Sequence, residues 1–130
     1  MKKLPFYITT FLKTADGSCD IILQERRGDY IETPKGYIYA VNYERPYWRA
    51  TDILTGLGVC RAKRIPDLQQ AVLEREERCL NAIRIGLVEG RYDSYVKYHE
   101  LIKAELAKRE DDLIPARIQA YIITKGWAIT

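Results

Sequence analysis

One histidine, three cysteines and two serines make up this chain's supply of the side chains most often used as nucleophiles and proton carriers. His99 stands alone in Tyr98-His99-Glu100-Leu101, and a lone histidine at helical spacing reads as a surface or capping residue. To act in catalysis it would need a thiol or carboxylate within hydrogen-bond reach. Cys79 falls on an apolar helical stripe and is expected to be buried. Cys19, Cys60 and Cys79 are widely spaced and form no C-x-x-C pair, so they read as reduced thiols. Ser18 follows Asp16-Gly17 in a turn, and Ser94 sits where a helix cap belongs. A metal centre needs several His, Cys or carboxylate ligands converging on one point, and no spacing here provides that. Glu74, Glu76 and Glu77 are expected on a solvated helix face. Neither a G-x-x-x-x-G-K-[ST] nor a G-x-G-x-x-G phosphate loop is present. No catalytic residue, metal or cofactor is assigned, and the expectation is a protein that is not an enzyme.

The elements that would position any site change character midway. Phe6 to Leu12 is dense in β-branched and aromatic residues. Asp16-Gly17 offers the positive φ of a tight turn, and Asp20 to Gln24 returns as a strand. A loop with Arg26-Arg27-Gly28 leads to a short strand, Tyr30 to Glu32. Thr33-Pro34-Lys35-Gly36 places proline and glycine at the second and fourth positions of a turn. Tyr37 to Tyr43, Tyr47 to Leu54 and Leu57 to Ala62 follow, the last two joined through Thr55-Gly56. From Asp67 onward, Leu68, Ala71, Val72, Cys79, Ile83 and Leu87 recur at three- and four-residue steps, a helical stripe ending near Gly86 or Gly90. A second helix runs from Asp93 or Ser94 to about Lys108, with Tyr95, Tyr98, Ile102 and Leu106 on one face. Pro115 to Thr124 reads as a third helix, and Ile118 to Ile129 reads equally well as a closing strand. The expected fold is one α+β domain over residues 1–130. Five to six antiparallel strands form a meander in the β-rich half, 1–65, and two to three helices follow in 66–130.

Composition excludes some classes. Hydrophobic content of 47% with 30% charged residues belongs to a folded globular chain. No apolar run approaches the ~20 residues of a membrane-spanning helix, and the start, Met1-Lys2-Lys3-Leu4-Pro5, lacks a signal-peptide core. A cytoplasmic location without membrane attachment is expected. The net charge of +3 is uneven. Residues 1–66 hold 11 Lys and Arg against 7 Asp and Glu, and residues 67–130 hold 10 against 11. The basic half permits an acidic partner without demanding nucleic acid, whose dedicated binders are usually more basic.

Two resemblances attach to particular residues. "IILQERRGDYIETPKGYI" with the later "RATDILTGL" is similar to the opening of the Nudix hydrolases, but that chemistry needs a run of glutamates on a helix to hold magnesium. Here the equivalent stretch is β-rich and offers Asp52 alone, so the activity is not expected. "YWRATDILTGLGVCRAKRIPDLQQAV", Tyr47 to Val72, resembles a hairpin-then-helix arrangement in small proteins of phages and mobile elements. The compact size and mixed charge are also similar to anti-CRISPR proteins. That resemblance implies an inhibitor that binds a host or defence-system protein and occludes it; it identifies no interface residue.

The residues themselves point to surfaces. Tyr37, Tyr39, Val41 and Tyr43 share one strand face, Tyr47 and Trp48 follow, and most of the basic residues lie in the same half. Aromatic and arginine side chains are the usual anchors of protein interfaces, and rings beside cations also bind single-stranded nucleic acid. The candidates for either partner are Arg26, Arg27, Lys35, Tyr39, Tyr43, Trp48, Arg49, Arg61, Lys63 and Arg64. A nucleic-acid module of this kind would resemble the three-stranded DNA-binding domains of integrases in outline, and exposed aromatics would also serve a homodimer. The alternative to both is that the tyrosine ladder is one half of the core under the helices. In the hairpin around Thr55-Gly56, Trp48, Ile53, Leu57 and Val59 read as scaffold bulk, and only the exit, Arg61 to Arg64, reads as a contact.

Overall fold

A computed structural model describes residues 3–80 and 93–124. Its strands are β1 (Leu4–Lys13), β2 (Cys19–Glu32), β3 (Ile38–Glu44), β4 (Tyr47–Asp52) and β5 (Gly58–Ala62). They form one antiparallel sheet in sequence order, as a meander should. The helices are α1 (Ile65–Arg75), continued by a π-helical turn over Glu76–Leu80, then α2 (Asp93–Lys108) and α3 (Ala116–Ile123). The expected α+β fold is what the chain adopts.

The turns follow their residues. Gly17 and Gly36 take φ near +88° and +86°, and Gly36 N–H closes on Thr33 O at 2.8 Å. The expected loop at Arg26-Arg27-Gly28 does not exist. Both expected short strands belong to β2, whose first part pairs only with β1 and whose last four residues pair with β3. Gly28 makes the change of partner feasible, since a Cβ there would lie 2.1 Å from Val41 O.

The helices divide between the two faces of the sheet. On one face α1 brings Leu68 and Val72 onto Tyr37, Tyr39, Val41 and Ala50. On the other, Ile102 and Leu106 of α2 and Ile118, Tyr121 and Ile122 of α3 pack with Phe6, Ile8, Ile38, Ala40, Ile53 and Leu54. Central β3 is therefore buried on both sides along most of its length. Tyr121 also uses its hydroxyl to accept the Ile38 N–H at 3.1 Å. Ala116–Ile123 is helical; the strand alternative over 118–129 is not adopted in its described part, and 125–130 lie outside the described residues. The stripe positions Ile83 and Leu87, with Gly86 and Gly90, also lie outside them.

The corner between β4 and β5 is scaffold. Gly56 has φ +72°, and its carbonyl accepts the Thr9 N–H at 2.9 Å while Thr9 Oγ1 donates to Thr55 O at 2.6 Å. Buried Asp52 accepts from Thr55 Oγ1 at 2.9 Å and from Leu54 N–H at 3.3 Å. This corner ties the edge strand β1 to the far side of the sheet. Two residues earlier on β1, Arg109 donates to the Tyr7 hydroxyl at 2.8 Å, to Glu25 and to Asp111 at 2.9 Å, fastening the end of α2 to the β1–β2 pair. Burial opposes the Arg109 charge, but those hydrogen bonds outweigh it and hold its pKa above the ordinary value.

Among the described residues no helix is long and apolar enough to cross a membrane.

Candidate functional site

Cover decides which candidates can touch a partner. Tyr39 is corrected from a contact candidate to a core residue: it is fully buried beneath α1, with its hydroxyl donating to Glu76 Oε1 at 2.9 Å. Tyr43, four residues along the same strand face, lies beyond the helix and is 53% exposed. Its ring meets Trp48, its partner across the ladder, edge to face at 5.2 Å.

On the opposite face of the same strand ends lies a polar cluster. Arg49 pairs with Asn42 on β3 and with Arg61 on β5, so two guanidinium-bearing residues stand directly opposite each other. Arg61 lies over the Tyr47 ring at 5.7 Å, a cation–π contact. Arg49 Nη1 is 3.4 Å from Glu44 Oε2. Glu44, Arg49 and residues Gly58 to Arg61 line a cleft of about 280 Å³. A bulge builds its floor: Ala50 pairs with Cys60 and Thr51 with Gly58, leaving Val59 as the extra residue of β5.

The remaining candidates distribute unevenly. Lys63 and Arg64 are exposed on the link from β5 to α1, close in sequence to the cluster. Arg26 and Arg27 lie on β2 where it pairs only with β1. Arg26 donates to Gln24 Oε1 at 2.8 Å, and Arg27 stands 3.8 Å from Glu25. Lys35 is exposed in the β2–β3 turn, at the other end of β3 from Tyr43. The fold thus gathers Tyr43, Trp48, Arg49 and Arg61 at one end of the sheet, with Lys63 and Arg64 following, and leaves Lys35 apart.

Two residues depart from their expected environments. Glu76, expected on a solvated face, is 2% exposed and accepts from Thr33 Oγ1 at 2.7 Å as well as from Tyr39. The spacing carried the signal, because Glu76 is four residues after Val72 and eight after Leu68, on the buried stripe. His99, expected at a surface or cap, is fully buried, with Nε2 2.6 Å from Ile122 O between α2 and α3. Cys60 is half-buried, and burial pushes its thiol pKa up, away from nucleophilic character. Ser18 belongs to the β1–β2 turn, donating to Asp16 at 2.7 Å. Among the described residues no three His, Cys, Asp or Glu side chains converge as metal ligands.

Sequence reasoning missed Glu44, Tyr47 and Gly58 as members of the cluster. Glu44 and Tyr47 flank the Arg45-Pro46 turn and pair with each other, which a hairpin register would have shown. Gly58 carried no signal before the bulge was known. No family model matches the chain, nor does any curated protein or solved structure.

Proposed function

We propose that the protein is a non-enzymatic binding protein that acts in the cytoplasm by occluding a surface of a partner protein. Its contact surface is the uncovered end of β3, β4 and β5. The observation that carries this reading is the contrast along one strand: β3 is buried on both faces until Tyr43, which emerges half exposed against Trp48 while Arg49 and Arg61 line a cleft behind it. Tyrosine, tryptophan and arginine beside one another at an exposed rim are the composition of binding hot spots. In its sharpest form, which rests on the sequence resemblance, the partner belongs to a host or defence system and the protein is an anti-CRISPR-type inhibitor carried by a phage or mobile element.

A second reading, nucleic-acid binding, is favoured by one observation: Arg61, Lys63 and Arg64 are all exposed at the exit of β5, next to the aromatic end of the sheet. Phosphate neutralisation releases counterions, so such binding weakens steeply with salt.

Mobility shift of short single- and double-stranded oligonucleotides at low salt and near 0.2 M, together with affinity capture by wild type and by Tyr43→Ala/Trp48→Ala, separates the two. The protein-binding reading expects no shift, and a captured protein that the double variant loses. Binding that collapses with salt and weakens in Arg61/Lys63/Arg64→Ala replaces it with the nucleic-acid reading. A partner retained in full by the aromatic variant removes the proposed surface.

A further inference from the structure

β1 is an edge strand of the sheet, with one side of its backbone turned away from every other strand. Successive residues of an antiparallel edge strand point their backbone groups alternately toward the neighbour and away from it. Two bonds show the alternation here. Thr14 N–H donates to Ser18 O at 2.8 Å, inside the β1–β2 hairpin, whereas Thr9 N–H donates to Gly56 O at 2.9 Å, outside it. The pairing with β2 runs one to one from Leu4 to Lys13 without a bulge, so even-numbered residues bond β2 and odd-numbered ones face outward. Phe11 and Lys13 therefore turn their N–H and C=O groups away from the sheet. Among the described residues no hydrogen bond reaches those groups from outside the ladder.

The side chains around this free edge are apolar and accessible. Phe11 and Leu12 are 47% and 48% exposed, and Ile22, on the other strand of the hairpin, is 39% exposed. Tyr98 of α2 steadies Phe11 edge to face at 5.6 Å. Proteins keep edge strands solitary with proline, bulges or several charges. Beyond Pro5 this strand has no proline, and its one charge is Lys13.

A second copy of the same stretch fits the edge in one register. Outward-facing residues must pair with outward-facing residues, which leaves three antiparallel arrangements about a two-fold axis. Centred on Phe11, the pairing needs the Thr9 edge, which Gly56 already occupies. Centred on Lys13, it sets two ammonium groups directly against each other, and like charges so placed are destabilising. Centred on Leu12, it lets Phe11 and Lys13 of each copy exchange backbone bonds with Lys13 and Phe11 of the other. Each Lys13 then lies beside a phenylalanine, and Leu12 faces its own counterpart at a close, non-hydrogen-bonded position. We infer that the protein self-associates as a two-fold dimer through residues 10–14 of β1, paired antiparallel about Leu12. So short a strand falls far below the ~20–30 residues a side of a standard interface, so the dimer is weak and concentration-dependent. The inference goes beyond the binding reading above and uses a different surface, so either can fail while the other stands.

Sedimentation equilibrium of the full chain reads the association, and disulfide trapping reads the register. The trapping variants carry Cys19→Ser, Cys60→Ser and Cys79→Ser. Adding Leu12→Cys brings two thiols to facing positions whose close Cα atoms suit a disulfide, whereas adding Thr10→Cys leaves them too far apart along the strand. Lys13→Pro removes an outward N–H without touching the β2 ladder. A dimer forming below about 1 mM, weakened at least tenfold in Lys13→Pro, with Leu12→Cys cross-linking at least tenfold faster than Thr10→Cys, upholds the inference. An otherwise unchanged amide spectrum shows that Lys13→Pro keeps its fold; if it does not fold, the trapping pair carries the test. A chain that stays monomeric to about 1 mM, association unchanged in a folded Lys13→Pro, or equal cross-linking at the two positions overturns it.

Discussion

Tyr39 and Tyr43 are four residues apart on one face of one strand, and their environments have little in common. Tyr39 is at 0% exposure under Leu68 and Val72, its hydroxyl donated to a buried glutamate; Tyr43 is at 53%, touching Trp48. The same residue type thus serves stability in the covered half of the sheet and is available to a partner in the uncovered half. The difference is the footprint of α1, not any property of the strand. The polar groups divide between the two faces of the sheet. On the α1 face, Thr33, Tyr39 and Glu76 satisfy one another. On the opposite face, Arg49, Asn42 and Thr51 hold buried atoms that nothing among the described residues satisfies.

This comparison breaks first if the two halves respond alike to truncation. Tyr39→Ala is expected to destabilise the fold by ~3–5 kcal/mol, the usual cost of emptying a buried aromatic site, read as the loss of midpoint in chemical denaturation. Tyr43→Ala must cost far less; equal losses would mean that Tyr43 is core too. Glu76→Ala leaves the Thr33 and Tyr39 hydroxyls buried without their common acceptor, a loss of ~1–3 kcal/mol. A Tyr39→Phe background should absorb part of it, so a double-mutant cycle in which the two losses simply add would sever the network. In the uncovered half, Tyr43→Ala is expected to cost ~1 kcal/mol, the scale of an edge-to-face aromatic pair, by the same denaturation measurement.

The smallest effect lies outside both halves, in the β1–β2 turn. Hydrogen bonds from the Thr14 side chain, then from the Ser18 side chain and N–H, hold the Asp16 carboxyl near pKa 2, below its ordinary 3.8. A lowered folded-state pKa contributes stability above the unfolded value, and that contribution is lost as pH falls through about 2. Titration of the Asp16 carboxyl carbon by NMR should show the low midpoint in wild type and a rise toward 3.8 in Thr14→Val. An unchanged midpoint would mean that the turn is ordered by Gly17 alone.

Local chemistry made much of the architecture legible. Glycine at positive φ marked the turns, and three- and four-residue spacing marked α2 and α3, whose stripe residues Ile102, Leu106, Ile118, Tyr121 and Ile122 are all buried. Arg26-Arg27-Gly28 misled because charges and glycine read as loop, whereas a strand paired on one side tolerates exposed arginines and uses glycine to approach its neighbour. The site was legible only in part. Trp48, Arg49 and Arg61 were readable as hairpin residues, while Gly58 became meaningful only with the register that sets it under Arg49.

The sequence by itself determined the passage from strands to helices, the glycine turns at Gly17, Gly36 and Gly56 and the apolar stripes of the described helices, because these depend on backbone preference and short-range periodicity. Only the tertiary structure decided which tyrosines remain outside. Whether a strand face is core or contact surface depends on where a helix more than twenty residues further along the chain is laid down. The alternation of the strand is identical in either case. The bulge in β5, the opposition of Arg49 and Arg61 and the burial of Glu76 are likewise products of long-range pairing, which no local pattern encodes.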